Sequence, residues 1–247
     1  MTAGIYTVAY GEDYDRCAAC AFRYGRKHTD LPIAVATNLR AGERCKAWAE
    51  VPNVTFMYFA NRNQGDNRRA KLQMDLISPF ERTLYIDADS VIQNAGVERF
   101  APLLDDNEMV FNWRITFGTG DRIWNIYARC MAMFGVKKPI SIYNGGIIAF
   151  RKTPAVREFF RVWMSHWETF GCGREMPPLN CTIKEFEGKL KYTTFPLLFF
   201  ADAQTHTDTV IQHNYSRDFN QKFGIVPWTP YKPFDGNKND FHLERTP

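Results

Sequence analysis

Arg82-Thr83-Leu84-Tyr85-Ile86-Asp87-Ala88-Asp89-Ser90-Val91-Ile92 is the stretch around which the chain is organised. Its first half is apolar and β-prone, and it stops at two aspartates with one alanine between them. Side chains on an extended segment alternate faces, so Asp87 and Asp89 can present their oxygens to a common point. Two carboxylates placed there repel and lose hydration unless a cation lies between them. Hard dications such as Mg²⁺ and Mn²⁺ suit that position, because they take one or two carboxylates and fill the remaining sites with water and phosphate oxygens. The same residues also fit a loop aspartate followed by a capping residue, Asp89 with Ser90, so the motif alone leaves both readings open.

Immediately upstream, residues 66–77 begin with a capping residue, continue with apolar positions at helical spacing and close at Ser78-Pro79. They predict one amphipathic helix feeding the acidic strand. Arg68, Arg69 and Lys71 fall early in it, where cations oppose the helix macrodipole, and an anionic partner would account for them.

Toward the N-terminus, strands are predicted at 4–9, 32–36 and 54–59, with helical patterns between them and the strand 82–86 after the helix. That alternation implies crossover connections and a mostly parallel sheet. Ligands on such sheets sit at the carboxyl ends of the strands, which gathers Ala9-Tyr10-Gly11, Thr37-Asn38 and Asp87-Ala88-Asp89 round one crevice. Tyr10 there either faces a ligand or covers the sheet edge. Downstream come a strand at 108–113, a glycine-containing loop at 117–121 and a helical patch at 124–134. Asn144-Gly145-Gly146 then leads into a strand at 147–150. Glycine inside a strand marks a bulge or a close approach to the backbone. Thr153-Pro154 opens a helix whose stripe of Val156, Phe159, Phe160, Trp163, Met164 and Trp167 reads as core, and His213 follows Val210-Ile211 in a short strand.

Taken together, these blocks resemble the nucleotide-sugar glycosyltransferases of GT-A fold, particularly the glycogenin-like branch. Four motifs carry the resemblance over residues 3–217: Lys71 on its helix sixteen residues before Asp87, the Tyr85-Ile86-Asp87-Ala88-Asp89 strand end, Asn144-Gly145-Gly146, and Gln212-His213-Asn214-Tyr215. The resemblance implies a Rossmann-like α/β fold, a mostly parallel mixed sheet flanked by helices in a single transferase domain over 1–217. Residues 218–247 would be an aromatic and basic tail that wraps it. It implies a nucleoside diphosphate donor, a UDP-sugar first, held with Mn²⁺ or Mg²⁺ by Asp87, Asp89 and His213; an imidazole ligand favours Mn²⁺. Ala9, Tyr10 and Thr37 would meet the nucleoside, Arg68 and Lys71 the diphosphate, Ala88 the donor beside the metal, and Asn144, Gly145 and Gly146 the sugar. One element departs from the pattern. Where the branch carries an Asp-Gln pair near the reacting carbon, this chain has Leu179-Asn180-Cys181, with Glu175 as the nearest acid. Either Asn180 substitutes as a neutral hydrogen bonder or an acidic residue such as Glu175 or Asp202 serves, which leaves a retaining or inverting outcome open.

Composition bounds the alternatives. The 247 residues are 45% apolar and 23% charged, ordinary for one sizeable α/β domain. A net charge of +4 from 31 basic and 27 acidic residues is too mild to argue for nucleic-acid binding. No basic segment followed by an apolar run opens the chain, and the apolar runs are strand-sized, so a cytoplasmic protein without a transmembrane segment is expected. Six dispersed cysteines suggest reduced thiols, and Cys17-x-x-Cys20 lies on the apolar face of a predicted helix rather than in a zinc site. A sugar-phosphate nucleotidyltransferase should carry a basic glycine-rich loop after the first strand, whereas Tyr10-Gly11-Glu12-Asp13 is acidic. A non-catalytic nucleotide-sugar binder remains a second alternative. The acceptor is open among a glycan, a protein, a lipid-linked sugar and a nucleic-acid base.

Overall fold

The structure is a computed structural model that describes residues 2–60, 66–114, 122–136, 142–171, 173–202 and 208–213. Its strands are β1 (Ala3–Val8), β2 (Ile33–Thr37), β3 (Val54–Tyr58), β4 (Arg82–Ile86), β5 (Ser90–Ile92), β6 (Met109–Arg114), β7 (Ile142–Arg151), β8 (Tyr192–Thr194), β9 (Phe200–Asp202) and β10 (Ile211–His213). The helices are α1 (Gly11–Gly25), α2 (Asp66–Leu72), α3 (Met74–Ile77), α4 (Phe100–Asp106), α5 (Arg122–Met133), α6 (Pro154–Thr169) and α7 (Met176–Glu185).

Seven strands form one sheet in the order β3-β2-β1-β4-β7-β6-β8, and β5-β10-β9 form a small second sheet. In the large sheet only β7 runs against its neighbours, pairing antiparallel with β4 and β6, while the other pairings are parallel. The sheet is buried on both faces because its strands are apolar at consecutive positions. Ile5, Val35, Leu84, Ile86 and Ala149 face a layer containing Ala18, Ala19 and Phe22 of α1 and Phe100 and Leu104 of α4. Tyr6, Ala34, Tyr85, Ile148 and Phe150 face Ala70 of α2 and the aromatic stripe of α6. Ile92, Phe200 and Ile211 from the small sheet join the first of these layers, so both sheets share a core and make one domain.

Two expectations change. The helix over 66–77 is broken at Gln73, whose backbone (φ −108°, ψ 15°) leaves the helical range, so α2 and α3 are separate turns of chain. The strand expected at 147–150 extends back to Ile142, and the Asn-Gly-Gly block lies within it rather than before it. Phe111 of β6 pairs with Ile148 and the next residue, Asn112, with Asn144, so residues 145–147 bulge past β6 without a partner there. The helix start at Thr153-Pro154 holds, with the Thr153 hydroxyl accepting from the Val156 amide. Cys17 and Cys20 are buried core residues of α1. The expected loop at 117–121 and tail at 218–247 lie outside the described residues. Among the described residues no helix is long and apolar enough to cross a membrane.

Candidate metal and donor site

At the carboxyl end of β4 the buried strand runs out and Asp87 and Asp89 emerge, half-buried. What brings His213 to them is the small sheet. Its register sets His213 opposite Ser90, the residue after Asp89, across a separation of 123 positions that no local pattern encodes. The His213 Nε2 lies 3.0 Å from Asp89 Oδ1 and 3.9 Å from Asp87 Oδ2, with the ring itself buried. One ligand atom from each of the three residues lies within 4.8 Å of the others. Two carboxylate oxygens and an imidazole nitrogen facing one point fit a dication such as Mn²⁺, which accepts mixed nitrogen and oxygen donors.

Asp87 is fixed from behind. The Lys71 ammonium, near the end of α2, lies 3.1 Å from Asp87 Oδ1 and 2.9 Å from Glu175 Oε1, and is almost sequestered from solvent. Arg68 Nε lies 3.3 Å from the other Glu175 oxygen. Burial pulls the Lys71 ammonium down and Asp87 with Glu175 pulls it up; the carboxylates win, and the group is held above its ordinary range. Burial likewise pushes the Glu175 carboxyl up, but Lys71 and Arg68 outweigh it and hold it down to about 2. Glu175 is therefore a carboxylate at neutral pH, not a proton donor. The Tyr85 hydroxyl donates to the same Asp87 oxygen that Lys71 contacts, and burial, reinforced by Asp87, keeps that hydroxyl well above the usual phenol range. Tyr85 was not foreseen as a site residue. The signal was in the alternation: it precedes Asp87 by two and so shares its face.

The glycines serve the carboxylate directly. A Cβ on Gly146 would stand 2.9 Å from Asp87 Oδ2 and 3.0 Å from Asn144 Oδ1, and a Cβ on Gly145 would meet Met176, Leu179 and Lys71 Nζ at 3.3 to 3.6 Å. The close approach expected of a sugar at these glycines is thus made first by the protein's own side chains. Asn144 is buried and its Oδ1 accepts from the Gly146 amide at 2.7 Å, which shapes the bulge. The Gly146 carbonyl in turn accepts from the Asp87 amide at 2.9 Å.

Asn180 differs from the expectation more sharply. Its Oδ1 accepts from the Tyr143 amide at 2.7 Å, and its Nδ2 donates to the Tyr143 and Met176 carbonyls at 3.2 and 2.9 Å. The carboxamide is spent on main chain, where it ties α7 to the start of β7. Among the residues expected to meet a nucleoside, Ala9 is fully buried just past β1 and Tyr10 precedes α1, where Gly11, with φ +79°, donates its amide to Asn38 Oδ1 at 2.8 Å. Thr37, buried at the end of β2, accepts from the Leu39 amide at 3.1 Å. Ala88 is buried between the two aspartates. The ends of β1, β2 and β4 therefore stand side by side as the sheet order requires.

No family profile matches the chain, and no curated protein matches it by sequence. Solved structures do. The bifunctional glycosyltransferase WbbM superposes with a TM-score of 0.62 at 11% identity, over 87% of this chain and 46% of that one, so the chain spans about half of WbbM. The galactosyltransferase LgtC, solved with donor and acceptor sugar analogues, gives 0.59 at 15% identity, over 92% of this chain and 98% of its own. Mouse xyloside xylosyltransferase 1 gives 0.58 at 11% identity, over 87% and 98%. The fold is that of the GT-A glycosyltransferases.

Proposed function

We propose that the protein is a metal-dependent glycosyltransferase that takes a sugar from a nucleoside diphosphate donor, with UDP-sugars the first to test. The observation that supports it is the meeting of Asp87, Asp89 and His213, from two distant parts of the chain, at the carboxyl edge of a sheet of this fold. Those three residues would hold Mn²⁺ or Mg²⁺, which when bound neutralises charge gathering on the departing diphosphate.

The chain's own side chains divide the remaining work. Lys71 and Tyr85 hold Asp87 in one rotamer aimed at the metal position, so Lys71 acts through that carboxylate as well as by its positive field on the phosphates. Arg68, partly exposed at the start of α2, is the cation placed to reach a phosphate oxygen. Ala9, Tyr10 and Thr37, at the ends of β1 and β2, would meet the nucleoside, and Ala88, Asn144, Gly145 and Gly146 would act on the donor chiefly by shaping the bed on which Asp87 rests. Glu175, ionised beside Lys71, is the carboxylate suited to face positive charge developing at the sugar carbon.

A catalytically silent nucleotide-sugar binder is the second reading, favoured by the commitment of Asn180 to main chain. One assay separates the two: release of free UDP from a panel of UDP-sugars with and without Mn²⁺. The transferase releases UDP slowly without an acceptor, and Asp89→Ala abolishes that release while its melting curve stays in place. A binder returns the donor intact. Metal-independent turnover that survives Asp89→Ala would sink the proposal.

A further inference from the structure

Away from the site just described, α5 and α7 pack through a small cluster of Cys130, Met131, Phe170 and Cys181. The sulfurs of Cys130 and Cys181 are 3.7 Å apart, from residues 51 positions apart in the chain. Both cysteines are free thiols and both are buried. Cys181 also belongs to the lining of a cavity of about 440 Å³, with His166, Lys184, Glu185 and Phe134, which gives a small disulfide its side of approach. The pair is not part of a metal cluster: among the described residues, three metal-binding side chains converge only at Asp87, Asp89 and His213.

We propose that Cys130 and Cys181 form a redox-active dithiol, which a low-molecular-weight disulfide such as oxidised glutathione converts to an α5–α7 cross-link. An S–S bond is about 2.0 Å long, so the sulfurs have roughly 1.7 Å to travel, within reach of a rotation about the Cα–Cβ bonds. Cys181, on the cavity wall, attacks one sulfur of the incoming disulfide and forms a mixed disulfide, releasing one glutathione thiolate. Cys130 then attacks the Cys181 sulfur, and the second glutathione thiolate leaves. The two protons lost by the protein thiols go to the two glutathione molecules released, so electrons and atoms balance. Cys181, whose thiol donates to Cys130 across the 3.7 Å contact and which belongs to the cavity lining while Cys130 does not, is the attacking partner. Two charged residues of the cavity lining, Lys184 and Glu185, match the mixed charges of glutathione.

The cross-link would bear on the donor site through α7. Glu175 immediately precedes that helix and pairs with Lys71, and Asn180, next to Cys181, pins the start of β7. The thiol chemistry itself requires no sugar transfer, so its test stands apart from the functional proposal. The full chain is equilibrated in glutathione buffers of rising oxidised fraction, quenched with N-ethylmaleimide, digested and mapped by mass spectrometry. The expected result is a Cys130–Cys181 linked peptide that grows with the oxidised fraction, disappears with dithiothreitol and raises the melting temperature by roughly 5 °C or more. In Cys130→Ala the reaction should stop as a glutathione adduct on Cys181. The proposal is overturned if both cysteines are recovered as maleimide adducts from buffers that already glutathionylate Cys45, or if the linked peptide appears only after unfolding in urea.

Discussion

Replacing Lys71 with methionine tests the electrostatic design of the site most directly. Methionine keeps the length of the side chain and removes its charge, leaving Asp87 and Glu175 to face each other with Arg68 as the nearby cation. The Lys71 side chain is 6% exposed and that of Glu175 16%, so solvent screens the pair little. Holding the Glu175 carboxyl at about 2 rather than 4.5 corresponds to about 3 kcal/mol of stability at neutral pH, with Lys71 the largest favourable contributor and Arg68 next, against the opposing effect of burial. Losing the contact to Asp87 as well, the variant should be less stable by about 3 kcal/mol at pH 7, the magnitude typical of a buried pair broken on one side. The sign of its pH dependence is fixed. A depressed carboxyl stabilises the fold fully above its unfolded value of 4.5 and progressively less as pH falls toward 2. Because burial raises Glu175 once Lys71 is gone, the gap between wild type and Lys71→Met should shrink steadily as pH falls, by at least about 1.4 kcal/mol at pH 3.5. Urea titrations followed by tryptophan fluorescence measure it, and both proteins must give the same m-value for the comparison to hold. A gap that stays constant down to pH 3.5, or one below about 0.5 kcal/mol at pH 7, would refute the reasoning that Lys71 is what keeps Glu175 charged.

Three further outcomes are expected. Gly146→Ala sets a methyl group 2.9 Å from Asp87 Oδ2, so the carboxylate must turn away; Mn²⁺ affinity by calorimetry should fall at least tenfold, about 1.4 kcal/mol, with circular dichroism unchanged. Asp75 is buried on α3, and that burial raises its carboxyl to about 6 against a weaker pull from Arg157 at 3.9 Å. Because the raised carboxyl penalises the charged form, Asp75→Asn should stabilise the protein by about 1 to 2 kcal/mol at pH 7, and the advantage should fade as pH drops from about 6 toward 3.8. Asn180→Ala removes three hydrogen bonds to the main chain of Tyr143 and Met176 and should cost about 2 to 3 kcal/mol by urea denaturation. A wild-type melting profile in that variant would return Asn180 to the list of residues that face substrate.

How much of this was legible beforehand depends on the range of the interaction that fixes each element. β4 falls at the residues read from its pattern, because four β-prone positions, Thr83 to Ile86, ending on charge describe a buried strand by themselves. β1 and β2 were legible to within one residue at each end, from apolar runs closed by Tyr10-Gly11 and by Asn38. The break at Gln73 was not, since apolar spacing runs on through it and the interruption appears only in the backbone. β7 was read too short because the bulge over residues 145–147 interrupts its pairing with β6 but not with β4, where Ile147 still faces Ile86.

The site divides along the same line. Asp87 and Asp89 declare themselves as charges closing an apolar strand, but β4 ends at Ile86 and Asp89 sits in a turn closed by the Ser90 amide donating to the Asp87 carbonyl, so alternation along the strand relates only Tyr85 and Asp87. His213 could be nominated only by resemblance, because it reaches Asp89 through pairing with Ser90 in a sheet of three-residue strands, too short to show a period. Gly145 and Gly146 mark in the sequence a bulge or a place where something approaches the backbone, but the sequence does not say what approaches. The space at Gly146 is taken by a carboxylate that must sit close to the strand to be reached by Tyr85 and Lys71. A glycine that admits a protein side chain and one that admits a ligand look alike in sequence. They differ in consequence: at Gly146 an added methyl would weaken metal binding even with no sugar present.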